Sequence, residues 1–497
     1  VRVLPLIDRL LESCTPEQNV ESRFRDKELG QKVAVLYRAY RKLLISCNQM
    51  DFPSLLHCVV ELLEAKPQIS KHIRTVYKHI CVDEFQDTNL AQYIVLQHIV
   101  GDTPQNLFVV ADDDQIIYQW NGASPERLRQ LESDYQMNVI QLPANYRCPP
   151  AVIGLANRLI KNNLDRSPAK QPLIAIKTEA AEDVIRLLNF DTFEEELDWI
   201  AGDIEARHAT ERGECVILAR SRKLLEQAVE TLMKRGIQAS MALRKDEFTS
   251  APIRWLHAIL RLANARGDRE QLRRLCKAFY ELEGIHVDSR DIMANASVFG
   301  GDNLRSWFDM VLEREELEIY TRPFFETAQK VLADKLDFLR FIEAAFQWFE
   351  ALNSRLADQA HEGFVDFDEE KVIWKDLQER IIKEYGKEEL SLNILLQEVD
   401  LSPKMPPIPS GAVRCLTIHS AKGMEFQYVY LVGLAEEQLP SFQSIRKGDD
   451  SREMQEERRN CFVAITRAQN SLTLTYSQEY FGWRKKPSRF LREMELI

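Results

Sequence analysis

Residues 80–87 read ICVDEFQD, a short apolar run rich in β-branched residues that is followed at once by two carboxylates. Such a run predicts a buried β-strand whose C-terminal tip carries Asp83 and Glu84. Ligands bind at these tips in parallel α/β sheets. An Asp followed by a Glu suits nucleoside triphosphate hydrolysis, in which one carboxylate holds Mg²⁺ and the other orients the attacking water. For this pair alone an ordinary alternative stays open, an acidic strand-to-helix turn with Asp87 or Thr88 as the N-cap.

The length and composition predict a globular protein of about three compact units. The chain has 497 residues, of which 45% are hydrophobic and 29% charged, and both fractions are ordinary for a folded soluble protein. The formal net charge of -12 argues against a globally basic nucleic-acid binder. A local basic groove can still lie on an otherwise acidic surface, so net charge decides little.

The nine cysteines are scattered, and none has the Cys-x-x-Cys or Cys/His spacing typical of zinc sites. We therefore expect a reducing, cytoplasmic setting. No apolar segment approaches the roughly 20 residues that a membrane span requires, so no membrane association is expected. The first residue is Val1, which predicts a chain that is processed, truncated or taken from an interior point.

Helix and strand signals alternate along the first third of the chain. The three-to-four spacing of apolar residues from Val33 to Val60 predicts helices up to about residue 76. Beyond it, strands are predicted at His79–Val82, Leu107–Ala111 and Val139–Leu142. Strands that alternate with helical segments are typical of an α/β domain with a parallel sheet.

The second predicted strand leads into ADDDQIIYQWNGA, residues 111–123. Its three adjacent aspartates are a weak metal motif, because consecutive side chains point in different directions and most would be solvated. Gln115 with Tyr118 and Trp120 is more informative, since a polar side chain that senses phosphate lies beside rings that can stack on bases. The alternative for the two rings is a place in the core.

The third predicted strand ends in LPANYRCP, residues 142–149. Tyr146 and Arg147 are suited to hold a purine face and a phosphate oxygen. In this order and at these separations, DEFQD, DDDQIIYQWNGA and LPANYR resemble the UvrD/Rep family of superfamily 1 DNA helicases. Two later stretches extend the resemblance, TIHSAKGMEF at residues 417–426 and ERRNCFVAITRA at residues 457–468, which are similar to the fifth and sixth motifs of that family.

The resemblance implies RecA-like P-loop NTPase domains, built from parallel sheets with flanking helices, together with helical accessory insertions. It also implies ATP and Mg²⁺ as cofactors. Asp83 would bind Mg²⁺, and Glu84 would act as the general base on the attacking water. Gln115 would sense the γ-phosphate.

The opposite wall of the cleft would come from the second RecA-like domain. The resemblance implies that Arg147 and Arg467 contact the γ-phosphate there. Tyr146 would stack on adenine, and Glu425 would take the ribose hydroxyl. Lys422 would act on the phosphate side or in coupling. Two arginines that face the phosphates only when the cleft closes would make closure gate hydrolysis.

The resemblance also implies a single-stranded DNA track lined by Tyr118, Trp120, Thr417 and His419. Arg220, after a strand-like run, is a weaker candidate for a backbone contact. A lone histidine after an apolar strand is usually structural, and the surrounding TIHSAKG pattern is what favours DNA for His419. The implied partners are single-stranded DNA and junctions between single-stranded and duplex DNA.

Four parts follow from the resemblance. They are a helical remnant of the first accessory domain at 1–76, a partial first RecA-like domain at 77–141, a second RecA-like domain at 142–243 and 404–497, and a helical accessory insertion at 244–403. Repair or replication proteins would bind the insertion. One family element is absent from the printed residues: no G-x-x-x-x-G-K-[ST] loop, whose backbone and lysine cradle the phosphates, occurs.

We therefore expect most of a 3′-to-5′ ATP-dependent DNA helicase or translocase without its N-terminal nucleotide-binding segment, and negligible ATP hydrolysis by this chain alone. One alternative is a non-catalytic DNA-binding or protein-recruiting module on a helicase scaffold. Retention of the polar cleft residues argues against it, because a scaffold has no need of them. Another is the motor subunit of a recombination nuclease, but no cluster suited to a nuclease follows the sixth motif.

Overall fold

The computed structural model describes residues 3–47, 49–101, 106–167, 170–178, 184–241, 247–317, 321–333, 337–355, 362–404, 408–409 and 411–497. Two compact units are present, and not the roughly three that the length predicts, because the N-terminal helices and the parallel strands belong to one unit. The first comprises Val1–Met241 and Ser410–Ile497, and the second comprises Ala242–Pro409. The boundary predicted between residues 243 and 244 lies outside the described residues, and the division into four parts stays a prediction.

Most of the described residues up to Val76 are helical, as the apolar spacing predicts. Their helices are α1 (Leu4–Glu12), α2 (Lys27–Ser46), α3 (Phe52–Ala65) and α4 (Pro67–Val76). Asp26 and Asp51 start α2 and α3, because the side chain of each accepts a backbone N–H from the first turn. Tyr37 lies in the small apolar core of this region.

The predicted acidic strand is β1 (Ile80–Val82), which pairs in parallel with β2 (Leu107–Val109). The strand predictions for these two segments are therefore confirmed. The predicted burial of β1 is wrong, since Cys81 is exposed and Ile80 and Val82 are only partly buried in this two-stranded sheet. Between them runs α5 (Leu90–Val100), whose N-cap is Asn89, held in a capping box with Gln92. The predicted caps Asp87 and Thr88 are thus wrong, since the helix begins later than the acidic turn.

The strand predicted at Val139–Leu142 is also wrong. This segment follows α6 (Pro125–Tyr135) and is largely exposed, and pairing begins only at β3 (Ala144–Asn145), which runs parallel to β4 (Ile174–Ala175). The apolar composition favours a strand, but within the described residues no strand lies beside 139–142 to pair with it.

A seven-stranded sheet forms the rest of the first unit, and its fold class is the predicted parallel α/β. Its strands are β5 (Ile185–Thr192), β6 (Cys215–Ala219), β7 (Ala239–Met241), β8 (Val413–Thr417), β9 (Phe426–Leu431), β10 (Ala468–Tyr480) and β11 (Trp483–Arg484). The order is β11-β10-β9-β6-β8-β7, with β5 also beside β10, and only the β10–β11 pair is antiparallel. All of β6 is buried, as expected for a parallel strand covered on both faces.

Helices pack around this sheet. They are α7 (Pro150–Ile160), α8 (Phe193–Glu205), α9 (Ala209–Arg212), α10 (Arg222–Lys234), α19 (Phe442–Lys447), α20 (Arg452–Ile465) and α21 (Arg489–Glu493). Because β6 and β8 are parallel neighbours, their C-terminal ends lie at the same edge of the sheet. Arg220 follows β6 there, and Thr417 ends β8 and leads to His419.

The second unit is helical, as predicted for the insertion. Its helices are α11 (Ala251–Asn264), α12 (Arg269–Glu283), α13 (Ser289–Asn295), α14 (Asn303–Leu312), α15 (Thr321–Ala333), α16 (Phe338–Arg355), α17 (Phe367–Tyr385) and α18 (Leu392–Leu401). Its core is aromatic and is centred on the buried Trp255 and Trp307. Among the described residues no helix is long and apolar enough to span a membrane.

Candidate nucleotide-binding and DNA-binding site

Asp83 and Glu84 lie exposed at the tip of β1. Glu84 has a left-handed backbone, with φ 51° and ψ 36°, which residues other than glycine rarely adopt and which is common at functional turns. Its backbone N–H donates to Asp83 Oδ1 at 2.9 Å, and the Gln86 side-chain amide donates to Glu84 Oε2. The turn thus presents two carboxylates side by side at the end of the strand.

Lys422, in the turn after β8, joins this acidic tip to the segment after β2. Its Nζ lies 2.9 Å from the carbonyl oxygen of Gln115 and 4.0 Å from Glu84 Oε2. It also forms an ion pair with Asp87 and lies 5.1 Å from the centroid of the Tyr118 ring. Lys422, for which the sequence left the contact open, therefore contacts residues of the stretches DEFQD and DDDQIIYQWNGA.

Arg467 lies just beyond α20 and contacts Gln115, which is 352 positions earlier in the chain. Arg467 Nη2 is 3.3 Å from Gln115 Oε1. The guanidinium is almost fully buried, and it also donates to the carbonyl oxygens of Val463 and Met424. Burial, and then the positive charge of Arg147, lower the pKa of Arg467 to about 10, so it remains a cation at neutral pH.

Tyr146 and Arg147 are displayed by an Asn-based turn. Asn145 Oδ1 accepts the backbone N–H groups of Arg147 at 3.0 Å and Cys148 at 2.8 Å, and Tyr146 is 73% exposed. Arg147 Nε lies 2.7 Å from Glu425 Oε2. The two residues predicted to contact phosphate and ribose therefore contact each other.

His419 is hydrogen-bonded to Tyr118 and to the residue before it, Ile117. The Tyr118 hydroxyl donates to the carbonyl oxygen of His419 at 3.1 Å, and His419 Nε2 lies 3.1 Å from the carbonyl oxygen of Ile117. Burial, and then the charge of Arg220, lower the pKa of His419 to about 4, so its ring is neutral at neutral pH. The His419 ring therefore carries no charge beside the Tyr118 ring, whose centroid is 5.9 Å away.

Two other residues that were predicted to contact DNA are paired with side chains of the protein itself. Thr417 Oγ1 lies 2.8 Å from the Ser420 hydroxyl, in the same turn as His419. Arg220 forms a two-point ion pair with the buried Glu457, at 2.9 and 3.1 Å. The side chain of Trp120 lies outside the described residues.

The three aspartates after β2 are not mostly solvated, so that expectation is wrong. Asp113 and Asp114 are buried. Arg166 donates to both oxygens of Asp114, at 2.8 and 2.7 Å, and Lys170 forms ion pairs with Asp112, Asp113 and Asp114. Their oxygens lie close enough together to hold a cation, but the ammonium group of Lys170 takes that place.

Comparison with known proteins gives two matches that together cover most of the chain. The UvrD/REP helicase N-terminal domain matches residues 6–136, and the UvrD-like helicase C-terminal domain matches residues 140–479. The chain belongs to the UvrD/Rep helicase family. The predicted resemblance and the RecA-like α/β fold class are thereby confirmed.

Relatives of this UvrD/Rep chain include proteins named ATP-dependent DNA helicase PcrA. The protein of Staphylococcus aureus (strain Mu50 / ATCC 700699) is 29% identical over 484 residues, which cover 94% of this chain and 64% of the relative. A Staphylococcus epidermidis protein of the same name is 28% identical over 488 residues, with the same coverage. The chain thus spans 64% of the length of these curated relatives.

Several polar residues of the UvrD/Rep site were not singled out from the sequence. Gln86 and Asp112 are within the recognised motifs, where their position next to predicted site residues was a usable signal. Lys170 lies in an undistinguished loop, and its partners are more than fifty positions away. Glu457 was recognised only as the start of the sixth motif.

Proposed function

We propose that this chain forms the larger part of an ATP-dependent DNA helicase or translocase, which moves 3′ to 5′ along single-stranded DNA and opens duplex at junctions. The observation that carries the proposal is the contact of Arg467 with Gln115, which Lys422 links to the carboxylate of Glu84. Carboxylates, a polar sensor and a buried arginine in one cleft are the parts that phosphoryl transfer requires.

The acidic tip fits a magnesium ion. Mg²⁺ in such enzymes is bound by one or two carboxylates together with substrate phosphates, so the exposed Asp83 is sufficient on the protein side. The Asp112 to Asp114 cluster does not fit, because Lys170 neutralises it. When bound, Mg²⁺ would neutralise charge on the phosphate oxygens. Glu84 would orient the attacking water.

The two arginines would act on the phosphate charge that develops during transfer. Arg467 is buried, and a fixed cation in a site with little water stabilises such charge more strongly than one in solvent. Arg147 would exchange Glu425 for phosphate, which frees the Glu425 carboxylate for the ribose hydroxyl. Tyr146, already exposed, would stack on the adenine.

DNA would bind along Tyr118, Trp120, Thr417 and His419, with Arg220 as a backbone contact. Base stacking on such rings contributes roughly 1–3 kcal/mol per base. Tyr118 is three residues after Gln115, and Lys422 contacts both of them. A base that moves the Tyr118 ring would therefore move the phosphate sensor as well.

Three further predictions from the sequence are part of the proposal. The four-part division and the binding of repair or replication proteins to the insertion are two of them, and a cytoplasmic location, inferred from the scattered cysteines, is the third. We also propose that these 497 residues alone turn over ATP negligibly, because a glycine-rich phosphate loop is not among them.

The test uses the protein as its gene encodes it, next to the 497-residue chain. ATP turnover is measured with and without single-stranded DNA, and strand displacement is measured on duplexes with a 3′ or a 5′ tail. We expect DNA-stimulated turnover and displacement from 3′ tails in the gene-encoded protein only. Arg467→Ala should lower turnover roughly 10³-fold or more, with nucleotide binding retained.

Arg492→Ala, at an exposed position on α21, is the matched control and should leave turnover unchanged. Robust turnover by the 497-residue chain would disprove the claim that it is inactive. If the gene-encoded protein bound DNA but did not turn over ATP, the helicase proposal would be rejected in favour of a non-catalytic DNA-binding module.

A further inference from the structure

The side-chain amide of Gln86 has a fixed orientation. Gln86 is buried, its Oε1 accepts the backbone N–H of Asp112 at 3.0 Å, and its Nε2 donates to Glu84 Oε2. An N–H donor requires an acceptor opposite it, so the amide oxygen must face Asp112 and the NH₂ group must face Glu84. The backbone position of Asp112 thus determines where Gln86 holds the Glu84 carboxylate.

Gln115 is fixed by the same residue, through its side chain. Gln115 Nε2 donates to Asp112 Oδ2 at 2.7 Å, and Gln115 Oε1 lies 3.3 Å from Arg467 Nη2. An ionised carboxylate only accepts hydrogen bonds, so the NH₂ group of Gln115 must face Asp112. The acceptor end of the amide is therefore directed at the arginine.

Asp112 is held in turn by Lys170. Its Oδ1 lies 2.5 Å from Lys170 Nζ and accepts the backbone N–H of Asp114 at 3.1 Å. Burial would lower the pKa of Lys170, but the charges of Asp112, Asp114 and Asp113 outweigh it, and the pKa lies above its ordinary value. The ammonium group stays charged, and Asp112 keeps one oxygen for Lys170 and the other for Gln115.

We infer that Asp112, held in place by Lys170, is a positioning residue that aims two groups of the nucleotide cleft, the Glu84 carboxylate and the Gln115 amide oxygen. This inference rests on the proposed function. Loss of the lysine removes the cation from the Asp112 carboxylate, which keeps the Asp114 N–H and the Gln115 amide as described partners. The shift of Asp112 that follows would misalign both groups. A displacement of about 1 Å in such a group costs on the order of 10²-fold in rate.

The chain provides a matched control within the same cluster. Arg166 contacts Asp114 but forms no described bond to Asp112, and it belongs to the same loop as Lys170. Lys170→Met removes the ammonium group and keeps most of the stem. Arg166→Met makes the equivalent change at a residue whose described ion pair is with Asp114. Lys170→Arg restores the positive charge.

The experiment measures kcat and KM for ATP, with saturating single-stranded DNA, in the gene-encoded protein. We expect Lys170→Met to lower kcat about 10²-fold while KM changes less than about threefold, because neither Lys170 nor Asp112 is among the residues proposed to bind nucleotide. Lys170→Arg should recover at least about tenfold of that loss. Arg166→Met should leave kcat within about threefold of wild type. Equal losses of kcat in the Lys170→Met and Arg166→Met variants would overturn the inference, since they would indicate a purely structural role.

A second measurement does not depend on activity. Hydrogen exchange in the 497-residue chain is followed in peptides that cover residues 110–115. Lys170→Met should speed exchange there, since Asp112 loses its fixed place and its N–H bond to Gln86, and Arg166→Met should do so less. Unchanged exchange in Lys170→Met overturns the positioning role even if wild type shows no turnover, whereas absent turnover with faster exchange overturns only the proposed function.

Discussion

Lys422 Nζ lies 2.5 and 2.7 Å from the two carboxylate oxygens of Asp87, a residue 335 positions earlier in the chain. Burial raises the pKa of Asp87, and Lys422 offsets part of that rise. Only 6% of the Lys422 side chain and 24% of the Asp87 side chain are exposed, so neither charge is well solvated without the other. The pair fastens the turn after β8 to the tip of β1.

Replacing Lys422 by Met should therefore destabilise the chain by about 3 kcal/mol, because it leaves a partly buried carboxylate without its cation. Chemical unfolding gives the free energy, and hydrogen exchange in peptides that cover residues 80–90 shows where protection is lost. The double variant Lys422→Met with Asp87→Asn should lose less than the sum of the two single variants. Additive losses would mean that the pair contributes no coupling energy.

The fold class was predictable because its signals are local. Carboxylates that follow a short apolar run are visible at Asp83 and Glu84, whereas the roles of Arg467 and Glu425 were implied by the resemblance of the later motifs and stay predictions. Long-range charge pairing was not predictable. Nothing near Asp114 indicates Arg166 as its partner, and nothing near Arg220 indicates Glu457, which is 237 positions later. Apolar composition alone also misled at Val139–Leu142, because a strand needs a neighbour to pair with.

Substitution of Asn460 by an apolar residue should stabilise the chain. Asn460 is fully buried on α20, and within the described part of the chain neither its Oδ1 nor its Nδ2 has a hydrogen-bond partner. A buried polar group without a partner costs about 1–3 kcal/mol. Asn460→Leu should therefore raise the free energy of unfolding by about 1 kcal/mol or more.

The control for Asn460 is the same substitution at Asn157. Both polar atoms of that amide are bonded, to the carbonyl oxygen and the N–H of Leu173 at 2.9 and 3.0 Å. Asn157→Leu should destabilise, since two backbone groups lose their partners. Destabilisation by both substitutions would show that Asn460 has bonding partners after all.

The carboxyl group of Glu456 should make the stability of the chain depend on pH. Burial, and to a smaller extent the charge of Glu457, raise the pKa of Glu456 from 4.5 to about 7. Between these values the folded state binds more protons than the unfolded state, so the free energy of unfolding falls as pH rises from 4.5 to 7. Glu456→Gln should remove that fall, which amounts to at most about 3 kcal/mol.

Calorimetry between pH 4.5 and 8 tests this. The control is Glu453→Gln on the same helix, because Lys447 lowers the pKa of Glu453 and its contribution is lost only below that window. Identical pH profiles for wild type and Glu456→Gln would contradict the prediction.

Removal of the Tyr118 ring should weaken DNA binding by a factor that does not depend on the salt concentration. This ring is held by His419 and Lys422, and stacking of one base on it is worth roughly 1–3 kcal/mol. Tyr118→Ala should weaken binding of an oligothymidylate by about 5-fold to 150-fold, whereas Tyr118→Phe, which keeps the ring and removes the hydroxyl that bonds His419, should weaken it less. Fluorescence anisotropy over a salt series measures both variants, with Tyr77→Ala, at an exposed position, as the control.

Because stacking releases no counterions, the slope of log affinity against log salt should stay that of wild type. A changed slope, or equal losses in the Ala and Phe variants, would mean that Tyr118 acts through the backbone and the charges around it and does not stack on a base.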